Sequence, residues 1–136
     1  MSKIRRLLHL VCLSLLLCTS CGTHSLEDFR EEGESVSRAL AQELNHIHTR
    51  EELTAAGPKL TQLFNDLVET IIAAHEYSEK HPSAETPPLS PENHSSSDQL
   101  RAELSRLYQI DGAREVIEKC QEKALNRLDA YERQTR

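Results

Sequence analysis

From Leu26 onward the apolar residues fall at Leu26, Phe29, Val36, Leu40, Leu44 and Ile47, with Gly33 in the one missing step. This three-and-four spacing lays out one face of a helix. Ser25 with Asp28 has the form of a capping box at its start. Gly33 costs about 1 kcal/mol relative to alanine in a helix interior. The pattern therefore predicts a helix from Glu34 to Ile47, with Glu27 to Glu34 as either its opening turns or a flexible acidic tether.

A second stripe follows at once. Thr49 with Glu52 makes a capping box, and Glu51 and Glu52 suit the positive end of a helix. The stripe then reads Leu53, Ala56, Leu60, Leu63, Phe64, Leu67, Val68, Ile71, Ile72 and His75. Gly57-Pro58 interrupts it in chemistry but not in phase, which favours a kinked helix over a new one starting at the proline. A third stripe runs Leu100, Leu104, Leu107, Ile110, Ala113, Val116, Ile117, Cys120, Ala124, Leu128 and Tyr131. Capped by Ser96 and Ser97 and unbroken from Asp98 to Arg133, it would reach about 50 Å at 1.5 Å per residue, with Asp111-Gly112 as the place where it would break. Between the second and third stripes, KHPSAETPPLSPENHSSS (about residues 80–97) holds four prolines, five serines and one isolated leucine, the composition of a long disordered linker.

Composition narrows this to one fold class. With four glycines, no tryptophan and only five aromatic residues among 136, the chain lacks the turn residues of β-sandwiches and the stacking platforms of nucleic-acid binders. The expectation is all-α: an antiparallel helical hairpin of the second and third segments, or a three-helix bundle once the first packs on it.

Residues 1–20 read differently. Lys3, Arg5 and Arg6 precede an apolar run from Leu7 to Leu17 and then Cys18-Thr19-Ser20-Cys21-Gly22, the three-part layout of a cleaved export signal. Eleven apolar residues are too few for a transmembrane helix, which needs about 20. Thr19, Ser20 and Cys21 resemble the end of a bacterial lipoprotein signal, in which small residues precede a cysteine that receives the lipid; Cys18 departs from the leucine usual there. The resemblance implies cleavage between Ser20 and Cys21, a fatty-acid anchor such as palmitate on Cys21, and a place in the cell envelope. Gly22 in place of aspartate implies the outer membrane rather than the inner one. Ordinary secretion, with Cys21 left as a plain thiol, is the alternative. The chain then divides into a signal peptide (1–20), a tether (21–25) and a helical domain (26–136).

Removing the signal leaves 116 residues with 13 Lys and Arg against 22 Asp and Glu, a formal charge of −9. Such a surface repels phosphate backbones and anionic head groups, so no nucleic-acid partner is expected and the lipid alone would hold the protein to a membrane. Only 23 of these residues are Ile, Leu, Val or Phe, so the core is expected to be thin. The runs HTREELTAAGPKLTQLFNDLVETIIAA and LRAELSRLYQIDGAREVIEKCQEKALNRL, with the Pro/Ser-rich gap between them, are also similar to short helical lipoproteins of unassigned function in chlamydia-type bacteria. That resemblance implies no catalytic residue.

Candidate chemistry is sparse. His46 and His48 stand two apart, which on a helix points them about 200° away from each other. His75 and Glu79 share a face but supply two ligands where zinc generally takes at least three. No glycine-flanked serine elbow, phosphate-cradling loop or HExxH helix is present. The expectation is a non-catalytic structural or protein-interaction module with no metal and no cofactor. The alternative is a helical carrier for a small apolar ligand or metal ion. Cys120 shares a face with Ile117, Ala124 and Leu128, which favours burial over a disulfide-linked homo-oligomer.

Overall fold

A computed structural model describes residues 24–84 and 91–136, with 91–94 described by backbone alone. The described chain forms four α-helices and no strand: α1 (Leu26–Asn45), α2 (Arg50–Lys80), α3 (Pro91–Leu107) and α4 (Ala113–Thr135). The signal, most of the tether, and residues 85–90 of the linker lie outside the described residues.

Both capping boxes form. The Asp28 amide donates to Ser25 Oγ (3.2 Å) and the Ser25 amide to Asp28 Oδ2 (2.7 Å). The Glu52 amide donates to Thr49 Oγ1 (3.2 Å), while Glu52 Oε2 accepts from the amides of His48 (2.7 Å) and Thr49 (3.1 Å). Each pair satisfies backbone donors that a helix start otherwise leaves open. From Ser25, α1 runs through Gly33 without a break, so Glu27 to Glu34 is helix and not tether. A Cβ at Gly33 would sit 3.9 Å from Thr70 on α2, an ordinary contact.

Pro58 lies inside α2, and the stripe keeps its phase across it: Leu53 and Leu60 on either side are both fully buried. Proline removes one backbone donor, and the packing of both flanks on the same core holds the helix continuous.

The third stripe makes two helices, so the described residues form four helices rather than three. Residues 108–112 form a turn in which the Ile110 amide donates to Leu107 O (2.9 Å) and the Ala113 amide to Ile110 O (3.1 Å). Gly112 ends it at φ 71°, the left-handed region that side chains avoid. A Cβ there would stand 2.7 Å from the Arg50 guanidinium carbon, but that is the end of an exposed side chain free to move aside, so it is the conformation that calls for glycine. The third stripe's first helix begins at Pro91, seven residues ahead of the expected Asp98. Proline at a first helical position loses no bond that was available and has the right φ.

Direction follows from the contacts. α1 and α2 are antiparallel across the 46–49 turn. α4 packs on α2 in the same direction, since Gly57 meets Cys120, Glu69 meets Arg127 and His75 meets Tyr131 in ascending order. α3 packs on α1, end beside end, through Asn45 with Glu103 and Leu44 with Arg106. The expected single antiparallel hairpin is thus replaced by two hairpins side by side, because Gly112 turns the chain back. Leu40, Leu44, Leu53, Leu60, Leu107 and Ile117 are fully buried where they meet. Three sides of the bundle are packed: α1 on α2, α1 on α3 and α2 on α4. α3 and α4 diverge from their shared turn.

Candidate functional site

The residues expected to carry attachment, Ser20 and Cys21, lie outside the described residues, as do Cys12 and Cys18. The described residues offer four places where chemistry or recognition can gather.

The first is a shallow cleft of about 620 Å³ between α2 and α4, where Gly57 and Pro58 face Cys120 and Lys119, with Arg50 at its upper edge. Cys120 is 5% exposed, and its thiol donates to the Gly57 carbonyl (Sγ···O 3.6 Å). A thiol with its proton so engaged, and with no histidine beside it, behaves as a small core hydrophobe. In a chain with Cys12, Cys18 and Cys21 replaced by serine, Cys120 should react slowly with a thiol reagent in buffer and completely in denaturant. A reductant-sensitive dimer on a gel would contradict this.

The second is aromatic. His24 stacks on Phe29 (5.4 Å between ring centres), Phe29 meets Tyr77 (5.7 Å), and Tyr77 stacks on His81 (4.1 Å), tying the start of α1 to the end of α2. Close by in sequence, His75 Nδ1 lies 2.9 Å from Tyr131 Oη and 3.6 Å from Glu79. Among the described residues no three His, Cys, Asp or Glu side chains come together in a metal-binding group. His46 and His48 are both exposed near the first turn, and Glu52 accepts from the backbone of His48, not from its ring.

The third joins the two turns. Arg106 donates from Nε to Glu103 Oε2 (2.9 Å), from one terminal nitrogen to Ile47 O (2.9 Å) and from the other to Leu44 O (2.7 Å). Glu103 Oε1 accepts from Asn45 Nδ2 (2.9 Å). The Asn45 amide and the Arg106 guanidinium together hold the Glu103 carboxyl below its usual range. Glu52 and Asp28 are lowered by the backbone amides of their capping boxes, and Glu27 by its hydrogen bond to Arg30. A carboxyl whose folded pKa is depressed adds stability above its unfolded pKa, about 4, and forfeits it as pH falls through the folded value. The urea midpoint should therefore be flat from neutrality down to about pH 5 and fall below about pH 4. Glu103→Gln should shallow that fall, and an unchanged acid limb would remove Glu103 from the account.

The fourth is an apolar groove of about 300 Å³ along the side where α3 and α4 diverge. Phe64, Leu67 and Ile71 of α2 form its floor, Leu104 of α3 one wall, and Leu125 and Leu128 of α4 the other. Ile71 is 46% and Leu125 51% exposed, the two large hydrophobics left most open among the described residues. Neither Arg106 nor this groove could be found from sequence, since Arg106 reaches partners 59 and 62 positions away and the groove depends on which sides of the helices pack. No helix of the described residues is long and apolar enough to cross a membrane.

No protein-family model, curated protein or solved structure matches the chain at a significant level.

Proposed function

We propose that this protein is a lipid-anchored component of a bacterial cell envelope, acting as a non-catalytic interaction module on the outer membrane. The observation that carries this reading is the Thr19-Ser20-Cys21-Gly22 junction, placed at the end of a basic and then apolar stretch. A thiol is the side chain a diacylglycerol donor can alkylate, and the small residues before it let the cleavage site lie extended.

Anchoring at Cys21 also orients the bundle. The five residues 21–25 span at most about 17 Å fully extended, so the lipid would hold the start of α1 and its aromatic ladder close to the bilayer. The two turns at 46–49 and 108–112, at the other end of α1, then project away from it. The acidic chain gains nothing from anionic head groups, which leaves the helical sides for protein partners.

The test is metabolic labelling with a clickable palmitate. The wild-type chain should be labelled and shortened, whereas Cys21→Ala should stay unlabelled at precursor length. A labelled Cys21→Ala protein would overturn the assignment.

A further inference from the structure

Four-helix bundles normally close all four sides, each helix covering the apolar stripe of two neighbours. Here α3 rests on α1 and α4 on α2, and among the described residues nothing packs across the side between α3 and α4. The stripes on that side are not polar. Leu104 and Leu128 face the gap from its walls, Phe64 and Ile71 lie beneath, and Leu125 stands half exposed at the lip. An apolar strip kept in water on the open edge of a thin bundle weakens the solubility of the chain, and patches of this kind mark recognition surfaces.

The rim states what would fit. At helical spacing beside Leu125 and Leu128, α4 carries Glu118, Glu122, Asp129 and Glu132, all exposed. Three cations on the same side are engaged: Arg114 lies 3.8 Å from Glu118 and over the Tyr108 ring, Arg136 lies 3.9 Å from Glu132, and Arg101 lies 3.1 Å from Asp98. Glu122 and Asp129 form no ion pair among the described residues, so a net acidic rim borders an apolar floor.

We propose that the groove between α3 and α4 binds a basic amphipathic helix of a partner protein, which completes the open side of the bundle. This rests on the reading of the protein as an interaction module and names the site and the partner's chemistry. From Phe64 to Ile71 the floor is two helical turns, about 10 Å. That length matches the apolar residues of a helix at positions i, i+3 or i+4, and i+7, with lysines or arginines flanking them to meet the α4 carboxylates. A second copy of this chain would bring one acidic rim against another, which opposes association. A small apolar ligand would remain uncovered along the whole open side, whereas small-molecule sites bury most of their ligand.

The full chain in zwitterionic phosphatidylcholine nanodiscs is titrated with a fluorescein-labelled 18-residue Leu/Lys amphipathic helix and with its Leu/Glu counterpart, with empty discs subtracted. The Leu/Lys probe should bind saturably at one per chain, more weakly as salt rises, and the Leu/Glu probe at least about tenfold more weakly. Leu125→Lys should weaken the Leu/Lys probe by at least about tenfold with an unchanged helical circular dichroism spectrum. Reversing the rim with Glu122→Lys and Asp129→Lys, both exposed, should do the same and flatten the salt dependence. Equal binding of the two probes, or binding untouched by both sets of substitutions, overturns the proposal. So does a dimer of the full chain that Leu125→Lys dissociates, which would assign the groove to a second copy. None of these outcomes bears on labelling at Cys21; should that labelling fail, the same titration is run on the full chain free in buffer, without discs, so the two readings fail separately.

Discussion

Leu60→Glu is expected to leave the protein largely unfolded at 37 °C, with most of the helical signal at 222 nm lost and no cooperative urea transition. Leu60 is fully buried in a cluster that is aliphatic apart from Phe64 and Cys120. The substitution removes the leucine contacts, worth about 2–5 kcal/mol for truncation in a packed core. It then places a carboxylate where it lacks a partner, at a further cost of several kcal/mol. Small domains hold about 5–15 kcal/mol in total, and a chain with few large aliphatic residues belongs at the lower end. Leu125→Glu makes the same chemical change at a site that is 51% exposed and should shift stability by no more than about 0.5 kcal/mol. If the two substitutions behaved alike, the assignment of buried and open faces in this bundle would be wrong.

The contrast between buried and open faces marks where sequence reasoning stops. Local rules carried the elements: the Ser25 and Thr49 capping boxes form as their spacing requires, and the stripe around Pro58 keeps its phase. Cys120 is buried because it steps in register with Ile117 and Ala124. Periodicity places Leu60 on its stripe and Leu125 off it, but it does not tell whether a neighbour covers a stripe: Ile71, on the second stripe, is 46% exposed. Gly112 shows a different limit. Asp111-Gly112 is visible as a weak point, yet it takes the left-handed φ of Gly112 and the turn bonds around it to make that weak point a reversal of chain direction. That reversal makes two hairpins out of an expected long helix and, with it, the open side between α3 and α4. The proposed attachment at Cys21 stands apart from this: a peptidase reads a signal as a linear pattern, so the proposal rests on the sequence alone, and Cys21 lies outside the described residues.

Arg106→Ala should lower stability by about 2–3 kcal/mol, a large effect for a surface arginine. Most exposed ion pairs contribute about 0–1 kcal/mol, and an isolated Arg106–Glu103 pair three apart on one helix would fall there. Arg106 does more than pair. Its remaining nitrogens reach the C-terminal end of α1, adding a donor to the Leu44 carbonyl, which also accepts from the His46 and Ile47 amides, and bonding the Ile47 carbonyl in the turn just past the helix. α1 has no basic residue in its own last turn, so this guanidinium is also the positive charge its negative end would otherwise lack. Two of its three bonds tie α3 to the end of α1 and the turn after it, beside the Asn45–Glu103 bond, where Leu107 is fully buried. Lysine has the charge but not the fork, so Arg106→Lys should recover less than half of the loss. Glu103→Gln alone should cost less than Arg106→Ala, because it leaves both carbonyl bonds in place. Urea midpoints for the three variants, read at low and high salt, decide the matter. A purely ionic role would make the loss disappear at high salt and make Arg106→Lys nearly silent, whereas a cap built on backbone carbonyls keeps most of its effect.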